Sequence, residues 1–342
     1  MIDIHTHWRP AESADALRAR LKEPRILRNA DGAEVLTSRM GDTPLDQAFD
    51  AVEAHLERMD RQGVETSVLS VLGSFCWIEA QPLEVSGPLC RRVNDAFSAI
   101  CGAHPGRFAA FAALPLVDMD AAAAELERVL DLPGMLGAQL PGNLFLTRTD
   151  AEATRPLLDV AQRHRAVLFI HHGPRPGDAF PKVASSVDNA RRRNGTLDMQ
   201  ASLSSVMVTF CLTDLLASYP DVTVVVHNLG GNIPFEIERM DHRCLLDTPD
   251  EELPSSRFRR AGVYVDCNSF GPRAIEAAVA LYGADHIVCG TDGTAFGVDW
   301  TQKALADARI SGDEREAILR RNAAAMIARV GSAAEAMRAA AD

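Results

Sequence analysis

Apolar residues along the chain gather into short runs rich in Val, Ile and Leu, each followed by a longer stretch with apolar positions at helical spacing. Eight runs read as strands: residues 2–7, 64–71, 107–115, 135–141, 166–172, 222–227, 263–268 and 286–291. Several are apolar without interruption, the pattern of strands covered on both faces in a parallel sheet. Between them, residues 45–62, 86–103, 119–130, 151–164, 200–218, 231–246 and 272–282 predict amphipathic helices. Thr43 before Pro44 and Asp150 before Ala151 supply capping chemistry at two helix starts. The Ala-rich stretch from Ser332 to Asp342 is expected to fray.

Eight β/α repeats predict a single α/β domain over residues 1–342, a (β/α)8 TIM barrel with insertions at its C-terminal face. Such a barrel needs about 250 residues. The surplus falls in residues 9–44, 72–85, 173–199 and 292–301, all of which follow strands and so belong to the face where barrel active sites form. A doubly wound open sheet would share the alternation, but no Gly-rich phosphate loop follows the first strand.

Composition narrows the function. A chain of 342 residues with 47% hydrophobic content buries a large core, and a net charge of -12 argues against a surface that neutralises nucleic-acid phosphates. The expected partner is a small molecule. The seven cysteines are scattered, never spaced Cys-x-x-Cys, and read as reduced core thiols. No apolar run reaches the roughly 18 residues of a membrane span, and the chain opens directly on a strand pattern, which places it in the cytoplasm.

Candidate chemistry lies in the histidines, of which there are ten. His5, His7, His171, His172 and His227 fall at C-terminal strand ends, whereas His55, His104, His164, His242 and His286 fall on helices, in connections or at a strand start and read as packing or surface. His5 and His7 are two apart on one strand, so they point to the same side and can chelate one ion. His171 would add a third imidazole, and Asp292 in Cys-Gly-Thr-Asp-Gly a carboxylate from the strand beside the first. His171 is preferred to His172 because neighbours on a strand face opposite sides.

Together, Ile-Asp-Ile-His-Thr-His, Phe-Ile-His171, the stretch from His227-Asn-Leu-Gly-Gly-Asn-Ile-Pro-Phe to Glu-Arg239-Met-Asp-His-Arg243, and Gly-Thr-Asp292 resemble the amidohydrolase superfamily. More narrowly they resemble the amidohydrolase-related branch that includes aminocarboxymuconate semialdehyde decarboxylase and the resorcylate and carboxyvanillate decarboxylases. The resemblance implies one divalent metal on His5, His7, His171 and Asp292, with zinc the first choice and manganese or iron also suited. It implies His227 as an unliganded catalytic acid/base, with Asp292 sharing the proton handling in a hydrolytic variant. It also implies Arg239, and more remotely Arg243, as carboxylate clamps partly across a homodimer interface. Trp8, Phe75, Trp77, Phe270 and Trp300 are candidates for an aromatic lining, Trp8 foremost. Arg39 lies in the insertion where relatives carry a carboxylate-binding arginine, without an alignment good enough to assign it.

Two departures bear on the substrate. Asp292 is followed by Gly-Thr-Ala-Phe and not by an aromatic residue and proline, and His171 by His-Gly-Pro-Arg-Pro and not by Pro-Trp. The expected activity is non-oxidative decarboxylation of an aromatic or unsaturated carboxylic acid; the alternative is hydrolysis of an amide, lactone or carbon–carbon bond.

Overall fold

The computed structural model describes residues 1–39, 41–45, 49–71, 77–179, 189, 192–293 and 297–341. Eight strands form one sheet: β1 (Ile2–Trp8), β5 (Thr66–Val71), β6 (Phe108–Ala112), β7 (Met135–Pro141), β8 (Val167–His171), β9 (Thr223–Val226), β10 (Val263–Asp266) and β11 (Ile287–Val288). They lie in that order and every neighbouring pair is parallel. The sheet closes on itself, because Ile4 N–H donates to Cys289 O and Asp292 N–H donates to His5 O, each at 2.9 Å. This is the expected (β/α)8 TIM barrel; seven of the eight strands lie within their predicted runs, and β1 extends one residue beyond its own, to Trp8.

Two apolar layers hold it. Ile4, Val68, Phe111, Phe169, Val225 and Val288 pack together inside, with Phe111 and Phe169 stacked at 5.2 Å. The outer faces of the strands pack under the helices through Leu69, Ala110, Leu140, Ile170 and Val226. β1 departs from strict alternation. Asp3 pairs with Ser67 and Thr6 with Leu69, so β1 carries one extra residue between them. The bulge resets the facing of the strand. It lets His5 and His7 share the interior with Ile4, while Thr6 and Trp8 face outward.

The insertion after β1 is more ordered than its sequence suggests. It holds a helix (Ala11–Ala19) and an antiparallel sheet of β2 (Arg25–Arg28), β3 (Glu34–Ser38) and β4 (Gly41–Pro44). The predicted helix cap at Thr43 is therefore corrected. Thr43 pairs with Leu36, Pro44 ends an edge strand that needs no further N–H donor, and the helix begins only at Val52. Asp150 is not a cap either: the Thr147 side chain accepts from Asp150 N–H, one turn earlier. The helix Asn322–Ala341 runs into the Ala-rich stretch, as its alanines favour. Asn322 anchors that helix by donating to the carbonyls of Ala284 and Ile287 at 2.8 and 2.7 Å.

Among the described residues no helix is long and apolar enough to cross a membrane. Cys90, Cys101, Cys211, Cys267 and Cys289 are buried free thiols and Cys244 is half-buried. Cys76 lies outside the described residues.

Candidate metal centre

β1 and β8 bring three imidazoles to one place inside the mouth of the barrel. His5, His7 and His171 are buried, their rings lie 5.1–5.3 Å apart, and one ligand nitrogen from each lies within 4.8 Å of the others. Each ring has its other nitrogen occupied. His5 Nδ1 lies 2.8 Å from Asp266 Oδ2, and His171 Nδ1 lies 2.9 Å from the His172 carbonyl. Both partners accept, so both Nδ1 atoms carry the proton. His7 Nδ1 lies 3.1 Å from Ser70 Oγ, whose own proton goes to the Thr6 carbonyl at 3.3 Å, so Ser70 accepts as well. All three rings are thus set with Nε2 lone pairs inward, the tautomer a cation requires. His5 Nε2 is buried with no hydrogen-bond partner among the described residues, as a ligand atom would be.

Burial sets the charge state. It pushes the His7 pKa down to about 4 against the pull of Asp292, and holds His171 and His227 well below the ordinary histidine value. His5 goes the other way: burial lowers it, but the carboxylates of Asp266, Asp292 and Asp3 together raise it by more. The Asp292 backbone sits at φ 46°, a conformation Asp tolerates better than most residues, and its Oδ1 lies 3.3 Å from His7 Nε2. The set of imidazole nitrogens with one adjacent carboxylate fits a divalent metal.

His227 follows β9 and stacks on His171 with ring centroids 4.3 Å apart. Its Nε2 accepts from His172 N–H at 2.8 Å, so the neutral ring carries its proton on Nδ1, which is buried without a hydrogen-bond partner among the described residues. Beyond it Asn228, Leu229, Gly230 and Gly231 all take positive φ, from 52° to 83°. A Cβ on Gly231 would come within 2.4 Å of the Gln200 carbonyl, so this turn packs backbone to backbone against the helix Met199–Leu212. The centre opens on a cavity of about 300 Å³ whose lining includes Arg39, Asn143, Asn194, Ser202, His227 and Asp292.

The sequence model described as amidohydrolase matches residues 2–329. The chain belongs to the amidohydrolase family. Among its relatives is the gamma-resorcylate decarboxylase of Rhizobium radiobacter, 26% identical over 290 residues that cover 80% of this chain and 86% of the relative. Two solved structures share the fold. The apo IDCase of Metarhizium anisopliae superimposes with a TM-score of 0.79 at 19% identity, covering 96% of this chain and 97% of that one. The dihydroxybenzoic acid decarboxylase of Polaromonas sp. JS666, with bound manganese and 2-nitroresorcinol, gives 0.66 at 21% identity, covering 96% and 97%.

In this amidohydrolase the structure brings together His5, His7, His171, Asp292 and His227 and places Arg39 in the same cavity, but not the predicted aromatic lining or Arg239 and Arg243. Trp8 is 2% exposed and packs edge-on against His55, 5.5 Å away, because it faces opposite to His7 on β1. Trp77 is buried beneath Arg20, Phe270 packs against the outer core, and Trp300 is half exposed with its Nε1–H on the Ser269 carbonyl. None of these lines the cavity, and Phe75 lies outside the described residues. Arg239 is exposed on the helix Ile233–Asp247, away from the cavity, and Arg243 pairs with Asp247 on the same helix. His172 does not face away from His171. β8 ends at His171, the alternation ends with it, and the two rings lie 4.6 Å apart. Sequence reasoning missed Ser70 and Asp266. Asp266 closes Val-Tyr-Val-Asp at a C-terminal strand end, the same signal that singled out the histidines.

Proposed function

We propose that this amidohydrolase is a metal-dependent carboxy-lyase that decarboxylates an aromatic or unsaturated carboxylic acid without an oxidant. The observation that carries the reading is the convergence of three inward Nε2 lone pairs beside Asp292 and His227, at the floor of a cavity that also holds Arg39. His5, His7, His171 and Asp292 would hold the cation, with zinc the first expectation and manganese or iron chemically suited. Such a cation would draw charge from a carboxylate or hydroxyl oxygen of the substrate.

The remaining work falls to side chains. Arg39, hydrogen-bonded to Asn194 at 3.2 Å and partly desolvated, faces the cavity as a carboxylate-binding cation. In this reading His227, which lines the cavity, takes up a proton from solvent and passes it to the carbon that bears the carboxylate, returning to its neutral form. The carbon–carbon bond then breaks, carbon dioxide leaves, and its bonding pair restores the unsaturated system. The decarboxylases among the relatives support this chemistry over hydrolysis.

The whole chain works as one domain in this reading, in the cytoplasm and as a homodimer or larger homo-oligomer. The helix Ile233–Asp247 is the face we assign to the second copy, since Phe235 and Leu246 are 60% and 61% exposed along the same side as Arg239. Light scattering on the purified protein tests the assembly. For the reaction, purified protein is incubated with hydroxybenzoates, muconate semialdehydes, lactones and amides while carbon dioxide is followed. Release from an acid supports the reading; turnover confined to a lactone or amide overturns it.

A further inference from the structure

Asp266 ends β10 with its side chain fully buried, and all three donors around it are accounted for. Oδ2 faces His5 Nδ1 at 2.8 Å. Oδ1 accepts from the backbone N–H of Asn228 at 2.9 Å and of Asn268 at 3.1 Å. Asn268 in turn donates through Nδ2 to Asn228 Oδ1 at 2.7 Å, tying the turn after β10 to the turn after β9. The segment after β11 makes room for this arrangement. A Cβ on Gly290 would come within 2.9 Å of the His5 Cβ and 3.0 Å of the Asp266 Cβ and Cγ, closer than real side chains pack.

We propose that Asp266 is the positioning residue of the centre: one carboxylate fixes the His5 tautomer that turns Nε2 toward the cation, and pins the turn that carries His227. The two oxygens divide the task between the metal-holding and the proton-moving halves of the site. The proposal rests on the metal reading above, but its test reads cation binding and tautomer state, not turnover.

Asp266→Asn is nearly isosteric and separates the roles. The two backbone N–H groups can only donate, so the amide oxygen stays with them and the NH2 is left facing His5. His5 must then accept at Nδ1 and carry its proton on Nε2, where it blocks a cation. Manganese(II) and zinc(II) are titrated separately into the full-length metal-free protein. The variant is expected to bind each roughly tenfold to a hundredfold more weakly, as loss of a partner behind a metal-ligating histidine does. Its metal-free thermal midpoint is expected to stay near that of the original protein. Binding within twofold of the original protein overturns the proposal and leaves the metal reading standing; failure of the original protein to bind either ion overturns both. Nitrogen-15 histidine spectra of the unsubstituted, metal-free protein at alkaline pH give a second measurement that does not depend on the variant folding. They are expected to show His5 protonated at Nδ1, and a proton on Nε2 overturns the assignment.

Discussion

At the strand ends, each of the three clustered imidazoles has its Nδ1 assigned by a neighbour: Asp266 behind His5, Ser70 behind His7, and the His172 carbonyl behind His171. In the segments inserted above them the polar groups are less tightly bound. Glu79, in the insertion after β5, is 2% exposed, and its Oε2 has no hydrogen-bond partner among the described residues. Arg39, in the insertion after β1, meets Asn194 from the insertion after β8 across more than 150 residues of chain. Strands hold their side chains by register, which leaves each ring one orientation and one tautomer. Loops hold theirs by contacts with other loops. Reaction type therefore belongs to the strand ends, and substrate choice to the insertions.

Removing a strand-end imidazole should have the largest effect. His171→Ala is expected to leave metal content below about a tenth of that of the original protein and to abolish turnover, because it removes one of the four proposed ligands and leaves a gap at the cation's place. Metal analysis after gel filtration checks it, and full metal retention would break the contrast at its strongest point. Chelation of the original protein should also lower its thermal midpoint, since an ion that binds only the folded state stabilises it by mass action.

The next largest effect separates two neighbours within the cluster. His227→Asn should keep the metal and lose roughly 10²- to 10⁴-fold in turnover, the usual worth of a positioned proton donor. Loss of the metal instead would make His227 a ligand. The second close trio, His171, His172 and His227, is the geometric reason to measure both quantities.

What could be read from residues alone follows the same division. The spacing of His5 and His7 gave their common side through the two-residue period, and the eight strand runs gave the barrel. The period failed at its interruptions. The bulge between Asp3 and Thr6 and the end of β8 at His171 both reset which way the next side chain points, and neither has a signature in the sequence. Trp8 was legible in hindsight, since it adjoins His7 and must face the other way. Asp266 was legible in principle, as a polar residue closing an apolar strand, but a histidine census passes over it. Arg39 was a candidate only through the resemblance, and its meeting with Asn194 was not legible, because no periodicity links a residue of one insertion to a residue of another.

Arg39 tests whether the insertions choose the substrate. Arg39→Ala should retain the metal and lower kcat/KM for the preferred acid roughly 10- to 100-fold, the range expected when a hydrogen bond to a charged group is removed. Neutral analogues should lose far less. An equal loss on acids and neutral analogues would place Arg39 in the support of the loop and take substrate choice away from it.

The smallest effect concerns stability, and it asks whether the loosely bound polar groups above the barrel are a cost. Burial pushes the Glu79 carboxyl up to about 7, against hydrogen bonds from its own and the Ile78 backbone N–H that favour the charged form. Its ordinary value is 4.5, so between those two values the folded protein binds more protons than the unfolded chain. Folding stability therefore falls as pH rises through that window, and the full cost is present above about pH 7. At 1.36 kcal/mol for each pKa unit, the cost is on the order of 3 kcal/mol at most. Glu79→Gln removes the titration and keeps an oxygen for the two backbone donors. Its thermal midpoint relative to the original protein should be nearly unchanged at pH 4.5 and higher by about 3–6 °C at pH 8. Taking the difference between the two proteins at each pH cancels every other titrating group. A variant equally displaced at both pH values would show that Glu79 acts through shape and not through its charge.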